Sequence, residues 1–157
     1  MSPQVSSGIC AGLIASVPQV LATQAAQRLL GLPPGKADIG PRFVYRLTER
    51  LDMPASSPAH WLLAGVFHFA CATGWGALYG AVQQRRPVSP VIGGPALGGL
   101  IYGLAFSRAG AATQAGSESH PERRPGREFA MHWTPALTFG MLTAFGYEWL
   151  HRRAATR

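Results

Sequence analysis

The stretch that decides the fold is residues 53–84, MPASSPAHWLLAGVFHFACATGWGALYGAVQQ, which contains no Asp, Glu, Lys or Arg. Residues 1–27, 87–107 and 129–147 are equally free of these charges, so every charged side chain lies between or beyond the four windows. A water-soluble domain distributes charge along each surface element, because each has a solvated face. Windows close to or longer than the roughly 18–20 residues that cross hydrocarbon predict membrane-spanning helices instead.

The four windows predict an all-α integral membrane protein, a four-helix bundle that forms one domain over residues 1–157. The spans are expected at about residues 8–30, 60–83, 88–107 and 129–150. The polar turn Arg85-Arg86-Pro87 is so short that spans two and three should be antiparallel neighbours. The loop at 108–128 is polar without an apolar period, which predicts a mobile segment.

The basic residues flank the apolar windows, which indicates contact with anionic lipid headgroups. A short amphipathic helix is predicted at about residues 41–52, either lying in the headgroup plane or solvated and packed on the end of the bundle. The arginines expected near headgroups are Arg42, Arg46, Arg50, Arg85, Arg86, Arg152 and Arg153. The two long loops hold more basic residues than the opposite side, but arginine pairs close to the span ends argue the other way, so the orientation stays open.

Small residues recur at four-residue spacing within the spans. In lipid no hydrophobic force drives helices together, so glycine stripes permit the close approach that supplies van der Waals contact. Gly76–Gly80 and Gly99–Gly103 are expected to let spans two and three pack tightly. The alternative is that these motifs form a surface that binds a partner subunit. The glycines predicted to lie at helix contacts are Gly8, Gly12, Gly76, Gly80, Gly94, Gly98, Gly99 and Gly103.

His68 lies about eight residues into the second predicted span. An ionisable residue at that depth in a membrane helix suggests a functional site. Gln19 and Thr23 share a polar face of the first span. These three residues are the candidates for a cofactor site such as haem or a quinone, although a histidine hydrogen-bonded across the bundle explains the pattern as well. Cys71 is the only nearby companion ligand, so no metal site is predicted.

Other functions are excluded or disfavoured by the same residues. The net charge of +7 arises from basic residues that flank spans rather than forming one face, which argues against nucleic acid binding. No nucleophile with a base, phosphate-binding loop or zinc motif occurs, so an enzyme is not expected. Cys10 and Cys71 are expected to be small packing residues.

The segment His68-Phe69-Ala70-Cys71-Ala72-Thr73-Gly74-Trp75-Gly76-Ala77-Leu78-Tyr79-Gly80 resembles the second span of YagU-like small bacterial inner-membrane proteins. In that family a histidine precedes a Trp-Gly-Ala-x-Tyr-Gly stretch. The opening Gly8-Ile9-Cys10-Ala11-Gly12 and the glycine-rich third span are similar too. The resemblance covers most of the chain and implies a tetraspan fold in a bacterial inner membrane, but no catalytic residues. The long basic first loop departs from it.

Two functions are consistent with the sequence. The first is a non-catalytic accessory or structural subunit that packs against other subunits of a larger membrane protein complex. The second is a protein that binds or carries a small molecule, a proton or a redox cofactor at His68. A stand-alone channel is a weaker hypothesis, because no ring of charge lines any span.

Overall fold

The computed structural model describes residues 2–49, 54 and 57–155, and these residues form helices and turns without a β-strand. The predicted all-α class is therefore confirmed for this part of the chain. The long helices are α1 (Pro3–Leu29), α3 (Pro58–Arg85), α4 (Pro90–Phe106) and α6 (Gly126–Ala155). The short elements are α2 (Ile39–Thr48), α5 (Ala111–Gln114) and a 3-10 turn at Pro121–Arg123.

Local signals explain where the long helices begin. Ser2 caps α1 and Ser57 caps α3, each through a side-chain oxygen that accepts a hydrogen bond from a first-turn N–H. Proline stands near the start of α1, α3 and α4, where its missing N–H costs no helical hydrogen bond. These helices therefore begin and end within a few residues of the predicted spans, with α1 starting at Pro3 rather than at residue 8.

Three stretches of the described chain are long and apolar enough to cross a membrane: Pro3–Leu29, Pro58–Arg85 and Pro90–Gln114, the last containing α4 and α5. Each exposes large aliphatic side chains on its outer surface, as a lipid-facing helix does. Examples are Ile14, Leu21, Leu62, Val66, Ile92 and Leu104. These features support a helical membrane protein. α6 is of similar length but less apolar and does not belong to this set.

The long helices pack in the spatial order α3, α1, α6, α4. Consecutive helices in this series run antiparallel: Gly8 lies opposite Gly76 and Gly80, whereas Gly12, one turn later, lies opposite Ala72 and Gly76. The start of α1, the end of α6 and the 86–89 turn consequently lie at one end, called here the turn end. The segments 30–49 and 107–125 lie at the other, called the loop end, where α2 packs on α3 and α5 on α4.

The glycine motifs pair differently from the prediction. Gly76 and Gly80 of α3 meet the backbone of α1, not α4, and a Cβ at Gly76 would overlap the carbonyl oxygen of Gly8. Gly94 and Gly98 of α4 meet α6. The prediction that spans two and three pack through these motifs is therefore wrong. Direct contact between α3 and α4 includes the Tyr79 ring, which lies against Gly93.

One of the predicted packing motifs, Gly99–Gly103, meets no helix backbone within the described chain. A Cβ at Gly103 would meet no described atom within 4 Å, and one at Gly99 would approach only the Trp133 ring, at 3.8 Å. Ala96 and Leu100, on the same side of α4, are exposed. This surface, defined by Ala96, Gly99, Leu100 and Gly103, is called here the open α4 face.

Candidate functional site

A buried cluster of charged side chains lies at the loop end. The carboxylate of Glu118, in the segment between α4 and α6, receives a hydrogen bond from Arg42 of α2 and lies 3.0 Å from Nε2 of His132 in α6. The Glu118 side chain is 1% exposed and that of His132 is 0% exposed. Because buried charges are costly unless paired, this cluster depends on all three residues being present together.

Both ring nitrogens of His132 lie close to oxygen atoms. Nδ1 lies 2.5 Å from the backbone carbonyl oxygen of Glu128, which can only accept a hydrogen bond. Nε2 faces the Glu118 carboxylate, which accepts when ionised. These two contacts fix the orientation of the imidazole ring between the start of α6 and Glu118.

The surroundings of Glu118 keep it ionised. Burial of the carboxyl acts to raise its pKa, and this is the largest single influence. The hydrogen bond from His132 and the positive charges of Arg42, His132 and Lys36 act in the opposite direction. Together they outweigh burial and hold the pKa of Glu118 below its ordinary value. Glu118 therefore behaves as a fixed negative charge at neutral pH.

The segment 107–125, which covers most of the loop predicted to be mobile at 108–128, is held by the buried Arg124. Arg124 donates to the Ser119 carbonyl oxygen at 2.8 Å, to the Phe106 carbonyl oxygen at 2.9 Å and to Thr113 Oγ1 at 3.0 Å. These bonds join both ends of the segment to the end of α4. The absence of an apolar period had suggested mobility, but polar bonds provide the fixation that apolar contacts would otherwise supply.

The two long loops are also joined to each other. Lys36 Nζ lies 3.2 Å from Glu128 at the start of α6. Arg42 bonds both Glu118 and the Lys36 carbonyl oxygen. Arg42 was predicted to face lipid headgroups, but its Nη2 is bonded to these protein acceptors. We call Lys36, Arg42, Glu118, Glu128 and His132 the loop clasp.

The predicted cofactor residues are not joined by hydrogen bonds within the described chain. Nε2 of His68 is buried and has no hydrogen-bond partner among the described residues, and the ring bonds the Ser16 backbone. The Thr23 hydroxyl donates to the Gln19 carbonyl oxygen of its own helix at 2.9 Å. Of the three, only His68 has a buried side-chain nitrogen or oxygen without a hydrogen bond within the described chain.

The remaining predicted headgroup arginines lie at both ends. At the loop end, Arg46 is exposed and pairs with Glu49 at 3.3 Å, and Arg50 lies outside the described residues. Arg85 and Arg86 are exposed at the turn end. Arg152 pairs with Glu148, and the Arg153 guanidinium lies 3.9 Å from the centre of the Trp149 ring. These positions are compatible with the expected contact with headgroups.

Reasoning from the sequence missed Glu118 and Arg124 and placed His132 only by its depth in the fourth span. Glu118 and His132 are joined across 14 positions of an irregular segment, and no helical or strand spacing relates such residues. The available clue was the position of Glu118 between two small polar residues, Ser117 and Ser119.

The chemistry available at the loop clasp is electrostatic. Glu118 is engaged by both Arg42 and His132. No group of three or more metal-ligating side chains occurs among the described residues. The arrangement is therefore suited to holding loops on the helices. Comparisons with protein-family models, with curated proteins and with solved structures give no match for this chain.

Proposed function

We propose that this chain is a non-catalytic membrane protein with four spans, which packs as an accessory or structural subunit against a larger protein complex in a bacterial inner membrane. The observation that carries the proposal is the open α4 face. The other glycine motifs, on α1, on α3 and at Gly94–Gly98, are occupied by helices of the same chain. Gly103 contacts no other helix of the described chain, so it can receive a helix of another subunit.

The burial of the polar side chains of α6 supports its assignment as the fourth span. His132 and Thr143 lower its hydropathy, yet both face the interior of the helix packing and are essentially unexposed. Its outer surface presents Phe129, Leu142 and Phe145. A helix that crosses lipid can carry polar groups where neighbouring helices cover them.

Gly103→Leu should dissociate the chain from its complex without unfolding it. The leucine enters open space in the isolated chain but would separate two helices packed at Gly103. The matched control is Gly74→Leu, because Gly74 of α3 is also exposed and has nothing within 4 Å of a Cβ. The measurement is native mass spectrometry of each variant, extracted gently from its own membrane.

We expect wild type and Gly74→Leu to be recovered with other polypeptides, and Gly103→Leu to be recovered as the 16.7 kDa chain alone. Recovery of wild type as a bare chain would contradict the accessory-subunit proposal. Retention of partners by Gly103→Leu would contradict the assignment of the open α4 face.

A second function is favoured by one observation, the unpartnered buried Nε2 of His68. In this alternative the chain binds or carries a small molecule, a proton or a redox cofactor such as haem or a quinone beside α1. A buried nitrogen without a hydrogen bond is unfavourable, and a bound group would remove that cost.

His68→Leu separates the two functions, because leucine fills similar space without the nitrogen. If the chain is a subunit, the variant should keep its partners and lose no bound mass or visible absorbance. If it is a carrier, native mass spectrometry should show a bound small molecule in wild type and its loss in His68→Leu with assembly intact. His120→Leu, in an exposed loop position, is the control for removal of a histidine.

A further inference from the structure

A cavity of about 430 Å³ opens at the loop end between α2, the start of α3 and the segment before α2. Prolines 33, 34 and 41 form part of its wall, and six side chains give it its chemical character. These are Lys36, Asp38, Arg42, Tyr45, His60 and Trp61. Cavities that bind small ligands commonly have volumes of roughly 300–1,000 Å³, so a phospholipid headgroup is within reach of this one.

His60 indicates that the cavity has a polar occupant. Its side chain is 1% exposed, lines the cavity and has an Nδ1 atom without a hydrogen-bond partner among the described residues. Its ring packs edge-on against Tyr45 at 6.1 Å, which fixes the imidazole beside the cavity. Buried polar atoms are almost always hydrogen-bonded in proteins, so this nitrogen calls for an external partner.

Arg42 provides a second unused donor. Its Nη2 bonds Glu118 and the Lys36 carbonyl oxygen, while its Nε is buried without a partner in the described chain. Arg42 and His60 both line the cavity, and a guanidinium beside an imidazole is suited to the oxygens of a phosphate ester.

The charges around the cavity select against a ligand that is only negative. Arg42 is already paired with Glu118, and Lys36 with Glu128. Asp38 adds a carboxylate for which the described residues provide no ion pair. A ligand carrying both a phosphate and an amine leaves the net charge of the site unchanged, because its amine can pair with Asp38.

The aromatic residues favour the same ligand. Trp61 is 51% exposed at the start of α3, a candidate span, and Tyr45 lies beside it in the cavity wall. Trp and Tyr are enriched at the level of lipid headgroups, and their ring faces attract ammonium groups.

We propose that this cavity binds the headgroup of a zwitterionic phospholipid. Arg42 and His60 receive the phosphate, and Asp38 with the aromatic rings receives the amine. Recognition requires both charges of the headgroup, since each has its own set of partners. The assignment concerns a site at the loop end, away from the open α4 face, and stands independently of the proposed function.

The test is native mass spectrometry of the full chain in detergent with equal amounts of phosphatidylethanolamine and phosphatidylglycerol. We expect phosphatidylethanolamine to be retained about tenfold more, the ratio that one charge-assisted hydrogen bond supplies. Asp38→Asn should bring the ratio close to one. Glu122→Gln is the matched control, because it removes an exposed carboxylate from the same end of the molecule and should leave the ratio unchanged.

Two further measurements use the wild-type protein, so they still test the proposal if Asp38→Asn fails to fold. N-acetylated phosphatidylethanolamine keeps the phosphate but lacks the cationic amine, and should be retained no better than phosphatidylglycerol. Inorganic phosphate in large excess should not displace phosphatidylethanolamine. Equal retention of the two phospholipids, displacement by phosphate alone, or no retained lipid would each overturn the proposal.

Discussion

Replacement of Glu118 by alanine is expected to lower the free energy of unfolding by about 3–5 kcal/mol, the range for removing one partner of a buried ion pair. The carboxylate is almost completely buried and engaged by both Arg42 and His132. Without it, Arg42 would lose its carboxylate partner and the buried Nε2 of His132 would lose its contact with Glu118. The measurement is a denaturant titration of the purified protein in detergent micelles, followed by circular dichroism.

The control for Glu118→Ala is Glu122→Ala in the same segment. Glu122 lies 3.7 Å from Arg108, and both side chains are largely exposed. Surface pairs contribute about 0–1 kcal/mol, so this variant should unfold almost as wild type does. Equal midpoints for the two alanine variants would show that the loop clasp does not stabilise the protein.

The same carboxylate should make stability depend on pH. The pKa of Glu118 is lower in the folded protein than its ordinary value of 4.5. The unfolded chain therefore binds the proton more readily, and stability rises with pH through this range. The contribution is complete above about pH 4.5 and is lost as the pH falls through the folded-state pKa. Glu118→Gln should lack this part of the acid sensitivity that wild type shows.

Gly76→Ala is expected to lower the free energy of unfolding by about 3 kcal/mol, at the upper end of the usual cost of overpacking. The new Cβ would overlap the carbonyl oxygen of Gly8 and approach the Gly12 Cα to 3.2 Å. The obstacles are backbone atoms of α1, which cannot rotate away as a side chain can. α1 and α3 must separate, and contacts along both helices weaken.

Gly74→Ala, two positions earlier on α3, provides a control of opposite sign. A Cβ there meets nothing within 4 Å, and alanine is a better helix former than glycine by about 1 kcal/mol. This variant should match or exceed wild type in the same denaturant titration. A loss of stability in both variants would place the effect in the helix backbone and not in the contact between α1 and α3.

The extent of the long helices could be predicted because it depends on nearby residues. Charge-free windows, a capping serine such as Ser57 and a following proline such as Pro58 all lie within the segment that they describe. The small residues at helix contacts were visible in the same way, through their four-residue spacing.

The pairing of helices could not be predicted, because a glycine stripe specifies close approach without specifying the partner. Gly76 and Gly94 carry equivalent motifs, and the structure assigns them to α1 and α6. The short 86–89 turn suggested direct pairing of α3 and α4, but it needs only to bring two helix ends together. The loop clasp could not be predicted for a related reason, because Arg42 and Glu118 are distant in the sequence. They come into contact only because α2 and the 107–125 segment lie at the same end of the helices.

The helix order also bears on the ancestry of the chain. Tandem duplication of a helical hairpin would make α4 the counterpart of α1 and α6 the counterpart of α3. In this protein α1 and α6 are central and α3 and α4 are peripheral, so corresponding helices would occupy opposite environments. The resemblance of Gly76-Ala77-Leu78-Tyr79-Gly80 to Gly99-Leu100-Ile101-Tyr102-Gly103 joins α3 and α4, two peripheral helices that such a duplication would not make counterparts.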